Sequence, residues 1–551
     1  MIFVLLLSIL VSFNSLVIGS FTSRLAGWNN SIYMNFLIGF VLCNSCFTIT
    51  SLLFPINEWA FFALTAGSVV VLLLEFKWFQ NYSFKCWLRF ISVYKNNARV
   101  IFITTMLLIL AFAHSMYPVS LHYDAGLYHL PTIKWINEYS VVPGLTNLNY
   151  TFGYNFNIFT FYAATISQNW IGQPIYVLNF TLTCFFFIWI CDKISWFASN
   201  KEYARGIAGL FTLLVYFYYF YPHISTTSNN TPVFIIVVFI VISITEGTRL
   251  TDYSIPIAVL CCYAITVKLS AIPLGLFVLN SIFTNWRNGR KFGIGIALMG
   301  FVLVPWTVRN VVLSGWLLYP FPYLDIFSVD WKVPIDNVHE VTQTVKNFAK
   351  SSAQMNGKWN WLQSQNKMDL LLLLLTASIS IYKLGKFLIT RSNRVSTAWY
   401  LSLTVSVGGI FLVFFQAPNL WYGAAYFCSL VYLVCSTPLF STKIDRLVFN
   451  TLAFSLALLI AKENWYHPWH FLKNVRQRYL MPYPLSKHDS NSFGSYYIDK
   501  KLRCYYPLAS DQCFFQAMPC SMIEIKNIHL RGETVSSGFR VQLMPQMTQN
   551  Q

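Results

Sequence analysis

Residues 100–139 read VIFITTMLLILAFAHSMYPVSLHYDAGLYHLPTIKWINEY. From Val100 to Pro118 the run holds no Asp, Glu, Lys or Arg. Its length is close to the ~20 residues a helix needs to cross a bilayer. Three titratable side chains follow at once, His122, Asp124 and His129. Beyond them Leu127, Leu130, Ile133, Trp135 and Ile136 recur with polar residues between, at the spacing of an amphipathic helix. An apolar span that ends in an acid and then in an amphipathic helix marks the edge of a membrane. The rest of the chain follows from that reading.

The sequence has 551 residues, of which 56% are hydrophobic, 18% aromatic and only 11% charged. Soluble domains carry roughly 25% charged residues, so too few are present here to cover a water-facing surface. The mean hydropathy is +0.51. The expected class is an all-α integral membrane protein. Candidate spans lie near 2–20, 31–54, 58–76, 100–118, 174–191, 206–221, 231–247, 253–267, 269–285, 291–308, 368–383, 397–415, 421–439 and 447–463. That pattern predicts a polytopic helical bundle of about 12–14 spans. Met1 to Ser20 lacks a basic start and a small-residue cleavage site, and it reads as the first span rather than a signal peptide.

The net charge of +18 could suggest a nucleic-acid partner, but its placement argues otherwise. Lys77, Lys85, Arg89, Lys95 and Arg99 fill one gap between spans; Arg287, Arg290 and Lys291 fill another; Lys383, Lys386, Arg391 and Arg394 fill a third. Short basic gaps are the signature of cytoplasmic loops, and no nucleic-acid motif is present. Placing these gaps inside puts 119–173, 222–230, 309–367 and the tail outside, together with both termini. Residues 151–168 would break this alternation if they spanned, so they are read as an interfacial juxtamembrane helix. The expected organisation is a transmembrane domain over 1–463, with long outer loops at 119–173 and 309–367. A small mixed extracytoplasmic tail follows over 464–551. Most of the twelve cysteines lie in apolar runs and read as small buried hydrophobes. Cys513 and Cys520 lie in the tail, where an oxidising compartment permits a disulfide.

Candidate chemistry gathers in the outer segments. Asp124 either caps the helix that follows it or acts as a catalytic carboxylate or metal ligand; His122 and His129 flank it, and Tyr123 adjoins it. Lys268 and Arg309 each close an apolar run. A cation at such a boundary either holds an anion, for which Arg offers a bidentate fork, or snorkels to lipid phosphates. The turn Ser225–Pro232, with Asn230, could bind sugar hydroxyls or cap a helix that begins with proline. The hairpin Gln416–Gly423 carries Trp421. No phosphate-binding loop, zinc-protease or serine-hydrolase motif is found.

These segments have a resemblance. Residues 123–144 (YDAGLYHLPTIKWINEYSVVPG) and 152–165 (FGYNFNIFTFYAAT) look like the first outer loop of GT-C membrane glycosyltransferases. These are the enzymes similar to dolichyl-phosphate-mannose mannosyltransferases and aminoarabinose transferases. A closer resemblance is to an uncharacterised family of bacterial multi-spanning proteins, itself similar to GT-C enzymes. It rests on PW-x-x-RN-x-x-LSG-x-x-x-YP over Pro305–Pro320, DWKVP over Asp330–Pro334, and a Pro-Cys tail ending in LRG…GFR up to Arg540. Two positions depart from that family. An Asp usual in the outer turn is replaced by Asn230, and the hairpin reads Ala417-Pro418-Asn419-Leu420-Trp421-Tyr422-Gly423 where AP-D-x-RFG is usual.

The resemblance implies a GT-C-like bundle in the bacterial inner membrane with its active face outward. It implies sugar transfer from a polyprenyl-phosphate donor to a glycan, lipid or protein acceptor of the cell envelope. Asp124, His122 and His129 would be catalytic, with Asp124 as base or as ligand of a divalent cation. Lys268, Arg309, Tyr123, Asn230 and Trp421 would bind substrate. A lipid-linked glycan polymerase or ligase would rely instead on outer-loop arginines. A transporter or flippase would place charges at mid-membrane in broken helices.

Overall fold

The computed structural model describes residues 2–82 except 29, 98–115, 123–166, 174–246, 254–351, separated positions between 367 and 381, 396–416, 419–436, 442–475, 493–514 and 518–541. His122 and the basic gap 383–394 lie outside the described residues.

The protein is predominantly helical. Its first two helices, α1 (Ile2–Leu25) and α2 (Ile32–Thr50), form a hairpin whose backbones touch. A Cβ on Gly19 would stand 1.8 Å from the Asn35 carbonyl oxygen, and one on Gly39 would stand 1.7 Å from that of Ser15. Small residues allow the close approach by which helices associate in lipid. Helix α3 (Glu58–Leu74) continues across an 87° bend into a short apolar helix. Next come α4 (Ala98–Ser115) and the segment that begins at Tyr123. That segment opens as a π-turn over Ala125–His129 and runs on as α5 (Leu130–Glu138).

Residues 150–154 form a 3₁₀ turn and Ile158–Thr165 form α6, eight residues long. At 1.5 Å per residue α6 measures about 12 Å, far short of the ~30 Å hydrocarbon core. The reading as an interfacial helix needs correcting in one respect, because every residue of α6 is buried. The reason is polar. Just ahead of α6, the Asn157 carboxamide accepts from Thr48 at 2.6 Å and donates to Thr266 at 3.0 Å, and its carbonyl accepts from Asn44 at 3.1 Å. Those bonds draw the segment into the protein rather than onto the lipid surface.

The remaining helices are α7 (Leu178–Ser199), α8 (Tyr203–Tyr219), α9 (Asn230–Glu246), α10 (Ser254–Val267), α11 (Gly275–Asn285), α12 (Gly289–Ser314), α13 (Ile335–Ser351), α14 (Thr397–Gln416), α15 (Leu420–Val434) and α16 (Thr442–Val475). Among the described residues five helices are long and apolar enough to cross a membrane: α1, α2, α7, α12 and α14. Counting the bent pair begun by α3 raises this to six, and several shorter apolar helices, α9, α10 and α15 among them, pack between the long ones. The chain is thus a helical, multi-pass membrane protein.

Two further pieces complete the fold. After α12 ends at Gly315, in the left-handed conformation at φ 78°, the loop leads into amphipathic α13. Val338 and Val341 of α13 pack with Val333 on Trp316 and Tyr319. The tail holds two antiparallel hairpins, β1 (Phe493–Ile498) with β2 (Leu502–Pro507) and β3 (Ile528–Leu530) with β4 (Phe539–Val541), and Cys513 is bonded to Cys520. A boundary at 463/464 falls inside α16, and β1 is the first strand described beyond that helix. Nor does the tail stand apart. Its Ile498, Ile528, Leu530 and Phe539 share one apolar core with Trp135, Val142, Leu145 and Phe152 of the first outer loop.

Candidate functional site

Four distant segments meet around Lys268. The helix α10 stops at Val267 because Lys268 turns to extended backbone (φ −157°, ψ 126°) before a 3₁₀ turn over Leu269–Leu274. The side chain leaves this link half-buried. Its ammonium donates to the Asn230 carboxamide oxygen at the start of α9 and sits 3.6 Å above the centroid of the Tyr422 ring at the start of α15. The fourth segment supplies Asp124. Burial pulls the Lys268 ammonium down to about 7, and the Asp124 carboxylate opposes that fall. The ammonium carries three donors; one goes to the Asn230 oxygen and one side of it rests on the Tyr422 ring, while Asp124 acts on it electrostatically, so a donor is left for a ligand.

Asp124 does not serve as a side-chain cap. Its backbone is already helical (φ −61°, ψ −26°), and its side chain accepts no capping hydrogen bond. The carboxylate is instead hydrogen-bonded to the Tyr128 hydroxyl. Tyr128 and Tyr154 form a wall beside it, their rings 5.7 Å apart and close to perpendicular. Burial, with Asp124 nearby, raises both phenols well above their ordinary value, so the wall stays protonated and uncharged.

The other expected residues divide. Asn230 joins Lys268 directly, as above. Trp421 is next door, stacked on His223 at 4.8 Å and 13° between planes, and 6.0 Å from Tyr422. His129 points inward: it is buried, with Nδ1 3.1 Å from the Thr227 hydroxyl and its ring against Phe159. It therefore ties the π-turn to the outer turn that precedes α9. Tyr123 is exposed and turned to the tail, where its hydroxyl donates to Asp511. Desolvation and that bond push its phenol up to about 12.

Arg309 is not brought to Lys268. It is buried in α12, where Nε donates to the Asn155 carboxamide at 3.1 Å and one terminal nitrogen donates to the Ser51 hydroxyl at 2.7 Å. Asn155 in turn donates to Asn310 at 2.8 Å and to the Trp306 carbonyl at 3.0 Å. This network locks α12 to α2 and to the first outer loop. The sequence reading missed Tyr422, Tyr128, Tyr154 and His223. The first three lie inside motifs already singled out, but one-dimensional spacing does not tell which aromatic of a run faces inward.

The tail closes over the same segment. The Phe514 amide donates to the Gly126 carbonyl at 3.0 Å, and the Gln512 side chain donates to the Tyr123 carbonyl at 2.8 Å. The Phe514 ring lies where a side chain on Gly126 would stand, within 2.5 Å of its Cβ position. Residues on both sides of Asp124 are thus held by residues 511–514.

A family model described as "Domain of unknown function (DUF8201)" matches residues 1–428. The chain belongs to this DUF8201 family. The match takes in Asp124, Asn230, Lys268, Arg309 and Tyr422, and it ends before the tail. No curated protein and no solved structure matches the chain. The two departures noted in the sequence can now be placed within this member of the DUF8201 family. Asn419 caps α15, its carboxamide accepting from the Trp421 amide at 3.0 Å, a task Asn performs as well as Asp. Asn230 gives Lys268 a neutral acceptor, which leaves Asp124 as the carboxylate that acts on it.

Among the described residues no three His, Cys, Asp or Glu side chains gather to hold a metal ion. The Lys268 ammonium and the Asp124 carboxylate act on each other electrostatically. Among the described residues Asp124 is a single carboxylate and not the donor set of a resident divalent cation.

Proposed function

We propose that the protein is a membrane glycosyltransferase that takes a sugar from a polyprenyl-phosphate donor and passes it to a cell-envelope acceptor at the outer face. In this reading the helices form a GT-C-like bundle of about 12–14 spans in the bacterial inner membrane. The observation that carries it is the meeting of Asp124, Lys268, Asn230 and Tyr422. They come from four distant segments, and the basic gaps independently put those of Asp124 and Asn230 on the outer side.

The chemistry is a single displacement. Asp124 takes the proton from an acceptor hydroxyl as its oxygen attacks the anomeric carbon. The bond from that carbon to the phosphate oxygen breaks, and both its electrons stay with the departing polyprenyl phosphate. Lys268 neutralises the charge that develops there, in a half-buried site where such stabilisation counts for more than in water. Tyr422 and Trp421 offer faces for the sugar ring, and Tyr128 holds the Asp124 carboxylate in place. The anomeric configuration inverts.

The test uses purified protein in nanodiscs, given radiolabelled polyprenyl-phosphate sugars and envelope lipid extract. Release of polyprenyl phosphate coupled to sugar on the acceptor, abolished in Asp124→Asn, supports the reading. Release unchanged in that variant, or no transfer from any donor by folded wild-type protein, overturns it.

A further inference from the structure

The second outer loop carries an apolar surface that the proposed reaction does not use. Residues 321–327 read FPYLDIF, and Tyr323 is 86% and Ile326 66% exposed, with Leu324, Phe327 and the nearby Ile335 also on the surface. A patch of this kind marks a partner or a membrane rather than chance exposure.

Three observations choose between those. The first is height. Helix α12 has 26 residues, so at 1.5 Å per residue it is about 39 Å long, against a hydrocarbon core of roughly 30 Å. With its basic start (Arg290, Lys291) at the inner surface, its end at Ser314 comes out in the outer headgroup layer, and the loop leaves from there. The second is continuity. Val304 and Val308, in the outer half of α12, are exposed on a helix long and apolar enough to span, so the helix carries a lipid-facing stripe toward the loop. The third is charge. Asp325, the one acid among residues 320–329, is neutralised by Lys332, whose ammonium lies 4.3 Å over the Trp316 ring. Pairing lowers the cost of bringing a carboxylate to an apolar boundary.

We propose that Tyr323, Leu324, Ile326 and Phe327 are seated in the outer leaflet, at the boundary between headgroups and acyl chains, as a membrane-dipping loop. Tyr is at home at that depth. The loop is rooted at Tyr319, whose ring lies 6.3 Å from that of Tyr154 in the wall beside Asp124. The leaflet contact is thus joined to the site by packed rings. The proposal stands whether or not sugar transfer is the reaction.

The experiment places a nitroxide at Tyr323→Cys and, separately, at Ile326→Cys in the full chain. Lys526→Cys in the exposed tail is the aqueous control. Each protein is reconstituted in phosphatidylcholine vesicles, and the signal from unsubstituted protein is subtracted. Collisions with dissolved oxygen and with a water-soluble nickel chelate are then compared. Seating in lipid gives an oxygen-to-nickel ratio above unity at 323 and 326 and below unity at 526. A ratio below unity at both loop positions overturns the proposal, because the loop is then in water. Protection from both reagents overturns it too, because another protein surface or a second copy then covers the loop.

Discussion

Lys268 and Arg309 look alike in the sequence, each a lone cation closing an apolar run. They end in opposite situations. Arg309 is buried and its guanidinium is engaged by Asn155 and Ser51, neutral acceptors that fix three elements to one another. Lys268 is half-buried, rests on an aromatic face and an amide oxygen, and has an acid for its electrostatic neighbour. A buried cation ringed by its own protein's acceptors holds the fold. One that keeps an outward face and a carboxylate nearby is equipped to meet a ligand. Sequence position cannot separate the two cases; the surrounding acceptors can.

Four measurements press on that contrast. The largest effect is expected at Asp124. The Asp124→Asn protein should express, insert and keep its thermal midpoint, yet lose sugar transfer by about 10²–10⁴-fold, the usual contribution of a general acid or base. Transfer near the wild-type rate would reduce the Lys268 cluster to a structural one. Next comes the direct contrast of the two cations. Arg309→Met should orphan the Asn155 and Ser51 acceptors, at about 1–3 kcal/mol for each unsatisfied group, read as a lowered detergent or thermal midpoint. Lys268→Met should leave the midpoint nearly unchanged while transfer falls. If the two variants exchange phenotypes, the comparison is wrong.

The third is a pH profile. Amine acetylation of Lys268, followed by peptide mass spectrometry, should be half-maximal near pH 7, where its lowered value lies. A neighbouring negative charge favours the ammonium and so raises the midpoint. Hence Asp124→Asn should move it down and Asn230→Asp should move it up. A midpoint indifferent to both would mean that neither side chain faces the amine. The smallest effect concerns Arg531, which binds Asp330 through 2.8 and 3.0 Å hydrogen bonds and lies over the Trp331 ring at 4.4 Å. Those bonds hold the exposed Asp330 carboxyl below its ordinary range. Because exposed ion pairs contribute about 1 kcal/mol or less, Arg531→Ala should shift the midpoint only slightly and spare transfer. A collapse would mean that the tail's grip on the DWKVP segment governs the fold.

Much of the architecture was legible because hydropathy and charge placement are one-dimensional signals. The apolar run from Val100 and the amphipathic turn of Leu130 to Glu138 can both be read from spacing alone. The burial of α6 was not legible, because Asn157 and its partners Thr48 and Thr266 are far apart in sequence and each is unremarkable by itself. At the site, Asp124, Lys268, Asn230 and Trp421 could be singled out because polar groups at apolar boundaries are rare. Their meeting could not, since it depends on how α9, α10 and α15 pack. The same is true of Arg309, whose rarity drew attention but whose partners decide its role.

The contacts of Phe514 and Gln512 with Gly126 and Tyr123 also set an order of events during synthesis. The ribosome delivers the Asp124 segment long before the residues that brace it. Until the tail emerges, the Gly126 carbonyl lacks that donor and the apolar face of Trp135 lacks its cover of Ile498, Leu530 and Phe539. Every nascent or C-terminally clipped chain therefore carries an unfinished first loop. Emergence of residues 498–539 becomes the step that matures residue 124, and a change in that stretch acts close to that residue rather than remote from it.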